Sequence, residues 1–200
     1  MSAPAIAKSE FILGGQRSGK SRRAEMLARA WLDQSDAHCA VLIATAQPWD
    51  DEMRQRIARH QADRALRVPG MVTVEEPMAL AEAIAGHSQP NTLVVVDCLT
   101  LWLTNLLMPV KVEESKKNEP LAPVESTRIA SFLIAIEDSP GPVVLVGNEI
   151  GLGVIPMGRE VRAFVDALGR LNQDVASVCH RVTLMAAGLP LNLKDSPPCV

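Results

Sequence analysis

The residues with the clearest chemistry stand near the start of the chain, in GGQRSGKS from Gly14 to Ser21. Their order, Gly14-x-x-x-x-Gly19-Lys20-Ser21, is the Walker A spacing; it follows a short apolar strand over 11–13 and opens an amphipathic helix. In that setting Gly14, Gly15, Gln16, Arg17, Ser18 and Gly19 form a loop whose backbone N–H groups converge on phosphate oxygens, aided by the positive end of the helix. Lys20 is placed to reach the β and γ phosphates, Ser21 to ligate Mg²⁺, and Arg17 adds a further positive charge. The expected ligand is a nucleoside triphosphate, ATP or GTP, with its magnesium ion.

Such a site also needs an acid at the end of a buried strand to hold the metal's water shell. TLVVVDC supplies Asp97 after the apolar run 93–96, so Ser21 and Asp97 are the expected metal-side residues. Asp97 would also serve as the N-cap of the following helix LTLWLTNLL, and the two roles are compatible. The next residue is Cys98 and not the glutamate that activates water in motor and transporter ATPases, which favours transfer to a bound acceptor over hydrolysis. After the strand PVVLVG the chain reads Asn148-Glu149-Ile150-Gly151, so the Asn-Lys-x-Asp guanine reader of signalling GTPases is not there. The GLG at 151–153 reads as a plain turn.

The cradle does not explain His60. In DDEMRQRIARHQADR, Met53, Ile57 and His60 lie at i, i+4 and i+7, which puts His60 at the border of a packed helical stripe. Without context such a histidine is a partly buried helix residue. Arg54, Arg56, Arg59 and Arg64 around it supply a second reading, because arginines neutralise a polyphosphate and oppose protonation of the imidazole, keeping it nucleophilic. His38 and His180 immediately precede strands and His87 sits in the turn composition AGHSQP, so no chemistry falls to them.

These residues need a frame. Short apolar runs alternate with helical patterns, strand then helix, about six times along the chain. That pattern predicts an α/β, P-loop NTPase-like fold: a mostly parallel central sheet with helices on both faces and a short antiparallel edge strand from LPLNL. The near-continuous apolar runs 93–96 and 143–146 suit central strands. PVKVEESKKNEPLAPV, 109–124, is rich in charge and proline and reads as a surface loop, a tolerated insertion before an active-site lid. Residues 1–9 and 195–200 are expected to be flexible ends of a single nucleotide-binding transferase domain spanning 1–200.

Composition narrows the partners. In 200 residues, 48% hydrophobic content is enough for one sizeable core, and 20 basic against 23 acidic residues leave a net charge near −3. That balance gives no global reason to bind nucleic acid or an anionic membrane, and it points to small molecules or other protein subunits. Cys39, Cys98, Cys179 and Cys199 show no metal-ligand spacing with the histidines; Cys39 and Cys98 read as reduced core residues of a cytoplasmic protein. The start MSAPAIAKSE lacks a signal-peptide core, and no run reaches the roughly 20 apolar residues of a membrane span.

At this point GGQRSGKS, IATAQPWDDEMRQRIARHQADR, VVVDCLTLWLTNLL and VVLVGNEIGLGVIPMGREVRAFVDALGRLNQDVA together resemble one family. It is the bifunctional adenosylcobinamide kinase and adenosylcobinamide-phosphate guanylyltransferase family of cobalamin biosynthesis. The likeness runs from about Phe11 to Lys194 and leaves out the loop 109–124. It implies that the γ-phosphate of ATP or GTP goes to a hydroxyl of adenosylcobinamide. GMP from GTP then passes through a histidine to the new phosphate, releasing pyrophosphate and giving adenosylcobinamide-GDP.

The resemblance also implies roles. The guanylyl-carrying histidine matches His60: some members have two adjacent histidines there, and in Arg59-His60 the histidine aligns with the second. Family nucleotide contacts map onto Ala44, Thr45, Ala46, Gln61, Ala62, Asp63, Arg64, Glu75 and Asp97. Lys20 and Ser21 with Mg²⁺ would hold the triphosphate in both reactions, with Lys20 and His60 as the catalytic pair. No residue is assigned as base for the hydroxyl, and a largely dissociative transfer needs little from one. With no histidine evident as cobalt ligand, the corrinoid is expected to be recognised through its periphery and tail. A homotrimer is implied, with sites at subunit boundaries; LTLWLTNLLM suits such an interface, although its composition favours core.

Two other readings stay open. One is a P-loop kinase of a small metabolite in which His60 is structural. The other is a nucleotide-binding regulatory module without turnover, against which intact Lys20, Ser21 and Asp97 argue.

Overall fold

The computed structural model describes residues 4–48, 50–108 and 121–195. The apolar runs become strands and the runs of helical period become helices. In the first half of the chain these are β1 (Ser9–Gly14), α1 (Lys20–Leu32), β2 (Cys39–Ala44), α2 (Asp51–Arg67), β3 (Val72–Glu75), α3 (Leu80–His87) and β4 (Thr92–Asp97). Then come α4 (Leu99–Leu107), α5 (Leu121–Asp138), β5 (Val143–Val146), α6 (Arg159–Val178), β6 (Arg181–Ala186) and β7 (Leu189–Asp195).

The strands form one seven-stranded sheet in the order β3-β2-β4-β5-β1-β6-β7. All pairings are parallel except β6 with β7, which is antiparallel, as the sequence leads one to expect. The runs 93–96 and 143–146 belong to β4 and β5, which lie inside the sheet. Alternate side chains of each strand point to opposite faces, so two cores form. Phe11, Leu13, Val94, Val96 and Leu145 pack with α3, α4, α5 and α6 through Leu80, Trp102, Phe132 and Leu168. Ile12, Leu42, Val95 and Val144 pack on the other side with Ala24 and Leu27 of α1. Trp102, 1% exposed, makes α4 a core helix.

Several details depart from expectation. β1 begins at Ser9, which is buried, and Arg181 Nη1 donates to the Ala5 carbonyl at 2.7 Å; Lys8 Nζ also donates to the Ser139 carbonyl. Ser9 and Asp195 are therefore strand residues and not tail. α5 takes in 121–124 from the expected loop, whose other residues lie outside the described chain, as do 1–3 and 196–200. His87 closes α3 instead of sitting in a turn. The N-cap of α4 is Cys98, not Asp97. Cys98 and Cys179 are buried but Cys39 is exposed, because it is the first residue of β2, where the strand enters the sheet from solvent.

Candidate functional site

Glycine builds the cradle where no other residue fits. Gly14 has φ +154°, and a Cβ there would lie 2.5 Å from both the Met185 carbonyl oxygen and Ser18 Oγ. Gly19 caps α1 in the left-handed region at φ 101°, and Arg17 is left-handed at φ 58°. The loop is clipped by Ser18 N–H to the Gly15 carbonyl at 3.3 Å and by Gly188 N–H to the Ser18 carbonyl at 3.0 Å. The β6–β7 turn therefore braces the loop from behind. Gly15, Gln16 and Arg17 face solvent, while Ser18 and Lys20 are buried. Lys20 Nζ donates to the Gly15 carbonyl at 2.7 Å, folded back over the loop that a phosphate would fill.

Burial pushes the Lys20 ammonium below its usual pKa; Cys98 and Asp97 pull it back up, and Arg56 lowers it further. Asp97 ends β4, in register with Val146 of β5 and Ala44 of β2. Among the described residues no hydrogen bond or ion pair occupies the Ser21 hydroxyl or the Asp97 carboxylate. Both are partly exposed, so these oxygens fit a Mg²⁺ that completes its shell with phosphate and water. Cys98 offers no competing ligand, since burial raises its thiol to about 11.

The Thr45 side chain is turned inward. It is fully buried, and its Oγ1 donates to the Cys98 carbonyl at 2.7 Å while accepting from the Cys98 N–H at 2.9 Å. Asn105 Nδ2 donates to the Thr45 carbonyl at 2.9 Å and to that of Pro77 at 3.0 Å. Thr45 joins the end of β2 to the end of β4, its N–H donating to the Asp97 carbonyl at 3.2 Å, and Asn105 ties it to the segment after β3.

α2 starts cleanly, with the Asp50 carboxylate accepting from the Met53 N–H at 2.7 Å, acids in its first turn and arginines in its last. Its packed face differs from the one expected. Met53 and Ile57 are half-buried, but Arg64 and the capping Val68 continue the stripe, while His60 is exposed. Arg64 donates to Thr73 Oγ1 at 3.2 Å; burial lowers its pKa against the pull of Asp97 and Glu25. Arg56 and Arg64 thus feel Lys20 and Asp97 respectively, and His60 lies between them at i+4 on the same side of the helix. Asp63 pairs with Arg67 at 3.3 Å, and Ala62 is exposed.

Gln61 and Glu75 come together at 3.5 Å, where α2 crosses the end of β3. With Ala46, Pro48, Arg54, Ile57 and Ala58 they line a pocket of about 180 Å³. Ala44 ends β2 opposite Glu75. Sequence reasoning missed the corner after β5. Asn148 N–H donates to Thr100 Oγ1 at 3.0 Å, Asn172 Nδ2 donates to the Asn148 carbonyl at 3.1 Å, and Glu149 N–H donates to the Gly14 carbonyl at 3.1 Å. Only the neighbourhood of β5 and β1 in the sheet reveals it.

A parallel sheet with a glycine cradle, lysine, hydroxyl and strand-end acid at its carboxyl edge defines a P-loop nucleotide-binding protein. The fold agrees with the crystal structure of the flagellar accessory protein FlaH from Methanocaldococcus jannaschii, at TM-score 0.51 and 11% identity over 96% of this chain and 80% of that one. The sequence model described as cobinamide kinase / cobinamide phosphate guanyltransferase matches residues 10–193, and the chain belongs to that family. It is 43% identical to the bifunctional adenosylcobalamin biosynthesis protein CobP of Pseudomonas aeruginosa over 94% of this chain and 98% of the relative. It is 36% identical to the bifunctional adenosylcobalamin biosynthesis protein CobU of Escherichia coli over 92% of this chain and 98% of that protein. No helix among the described residues is long and apolar enough to cross a membrane.

Proposed function

We propose that this protein phosphorylates adenosylcobinamide with ATP or GTP and then moves GMP from GTP, through His60, onto adenosylcobinamide phosphate. The observation that carries this reading is the pairing of two features. A phosphate cradle sits at the carboxyl edge of the sheet, and an exposed imidazole stands between Arg56 and Arg64, whose charges reach Lys20 and Asp97.

Lys20 leaves the Gly15 carbonyl to meet the triphosphate, and the loop N–H groups and Arg17 take up its remaining charge. Ser21 and Asp97 would hold Mg²⁺, which when bound supplies charge neutralisation across the phosphates. The pocket beside Gln61 and Glu75 has room for a purine; its carboxylate accepts from the N–H edge of guanine, which adenine lacks. His60 attacks the α-phosphorus of GTP, pyrophosphate leaves, and the guanylyl group passes to the acceptor phosphate, with Arg56 and Arg64 offsetting charge in both displacements. The exposed Leu189, Leu191 and Leu193 on the edge strand β7 support a homo-oligomer, proposed as a trimer and measurable as solution mass. The buried free thiols suit a cytoplasmic setting.

The test is incubation with Mg²⁺ and GTP labelled on the α-phosphate. Label that stays with the denatured chain, is lost in acid, survives alkali and disappears in His60→Ala supports the reading. A protein that binds GTP but takes no label is a simple kinase, and one that consumes no nucleotide with cobinamide present is a binding module.

A further inference from the structure

We propose that Glu149 is the base that takes the proton from the acceptor hydroxyl in the phosphorylation step, a role that rests on the kinase half of the reading above. The first support is topology. β5 lies between β1, which carries the cradle, and β4, which carries Asp97, and Val146 is in register with both Ile12 and Asp97. The chain beyond Val146 therefore leaves the sheet between the phosphate loop and the metal-side carboxylate. It stays against β1 through Gly147 N–H to the Ile12 carbonyl at 3.0 Å and Glu149 N–H to the Gly14 carbonyl at 3.1 Å.

The second support is that the position is held from several sides. Thr100 and Asn172 clamp Asn148, and Asn172 is only 6% exposed. One oxygen of the Glu149 carboxylate accepts from the Gly151 N–H at 2.6 Å. Among the described residues no ion pair takes up that carboxylate, so its second oxygen is open to a proton.

Elimination supplies the third. Asp97 is committed to the metal side, and Cys98, with its thiol raised to about 11 by burial, stays protonated at neutral pH. Glu75 faces Gln61 on β3, at the far edge of the sheet from β1. Of these acids Glu149 is the one whose own backbone is bonded to the cradle, at the Gly14 carbonyl.

The step balances without another reactant. The hydroxyl oxygen forms a bond to the γ-phosphorus, and the bond from that phosphorus to the β,γ-bridging oxygen breaks, its electron pair leaving with the nucleoside diphosphate. The hydroxyl proton passes to Glu149 and then to solvent. Guanylyl transfer needs no such base, because its acceptors are an imidazole and a phosphate already ionised.

That asymmetry gives the test. Glu149→Gln and Glu149→Asp are assayed for phosphorylation of adenosylcobinamide by ATP, for labelling by α-labelled GTP, and for GMP transfer to supplied adenosylcobinamide phosphate. General-base loss typically costs about 10²- to 10⁴-fold, and the dissociative character of phosphoryl transfer lowers that toward about tenfold. Expected for Glu149→Gln is a fall in kcat of more than about tenfold confined to phosphorylation, with the acid limb of its pH profile gone and partial recovery in Glu149→Asp. A smaller fall, or a parallel fall in all three assays, overturns the proposal. Wild-type protein that phosphorylates but takes no label sinks the guanylyl-histidine reading alone and leaves the phosphorylation assay to judge Glu149.

Discussion

Arg67, in the last turn of α2, donates to the buried carboxylate of Glu25 in α1 at 2.9 Å, tying the histidine-bearing helix to the helix that starts at the cradle. α2 has few other anchors: Arg64 alone among its residues is buried, and Val68 follows as its cap. Arg67→Ala leaves Glu25 without its cation. A fully buried pair broken this way costs about 3–5 kcal/mol, and the half-exposed guanidinium reduces that to about 1–2 kcal/mol. In the proposed reaction guanylylation should slow more than phosphorylation, because its nucleophile His60 rides on α2, whereas α2 lends phosphorylation only the charges of Arg56 and Arg64. Denaturant melts and the two half-reaction rates check this; equal slowing would show that α2 positions nothing specific to guanylyl transfer.

The lowered pKa of Lys20 sets an alkaline limit on nucleotide binding. Burial is the main cause, so the free protein sheds the Lys20 proton below pH 10.5, whereas a bound triphosphate favours the ammonium. Affinity for ATP should therefore fall as pH rises through a window that begins below 10.5. Stability has the opposite sign there: the unfolded chain holds more protons than the folded one, so the Lys20 contribution to unfolding free energy rises with pH. ATP is the ligand of choice because adenine does not titrate in this range. Lys20→Arg, which stays charged, should bind without that limb; an unchanged limb would assign it to another group.

Gly14 and Gly169 make a contrasting pair. A methyl at Gly14 meets backbone and side-chain oxygens at 2.5 Å in a left-handed conformation, while at Gly169, inside α6, nothing lies within 4 Å. Gly14→Ala must distort the first turn of the cradle. At about 1–3 kcal/mol of strain, ATP binding should weaken by roughly tenfold to 100-fold. Gly169→Ala should be neutral in binding and stabilising by up to about 1 kcal/mol, from helix propensity. Calorimetric titration and thermal melts separate the two, and equal binding by both variants would remove the close-approach argument.

The cradle, Asp97 and the mostly parallel character of the sheet were legible because each rests on local pattern: glycine spacing, a strand-end acid, apolar runs of strand length alternating with helices. The face of α2 was misjudged. Counting from Met53 and Ile57 leads to His60, yet the stripe continues to Arg64, whose long stem fills a packed position while its guanidinium finds Thr73. Polar residues that bury themselves by pairing leave no apolar signature. The same limit hid Asn105 and Asn172, and it hid the bonds of the Thr45 hydroxyl to the Cys98 backbone, since Thr45 entered as a nucleotide contact through the family resemblance alone. Glu149 was out of reach for another reason: that β5 inserts between β1 and β4 is a pairing across long stretches of chain, which no local spacing encodes.

Thr45 gives the last prediction. Its hydroxyl satisfies both the N–H and the carbonyl of Cys98 inside a site with no exposure, so the isosteric Thr45→Val keeps the shape and removes both partners. Each backbone group left unpaired costs about 1–3 kcal/mol, a loss that denaturant titration resolves easily. The residue before Cys98 is Asp97, so any relaxation of that peptide moves the metal-side carboxylate. Thr45→Val should therefore raise the Mg²⁺ concentration needed for half-maximal activity in phosphorylation and in guanylylation alike, whereas Thr45→Ser, which keeps the hydroxyl, should restore most of both. A Thr45→Val protein that is destabilised but needs no more Mg²⁺ would show that Thr45 supports the fold without positioning Asp97.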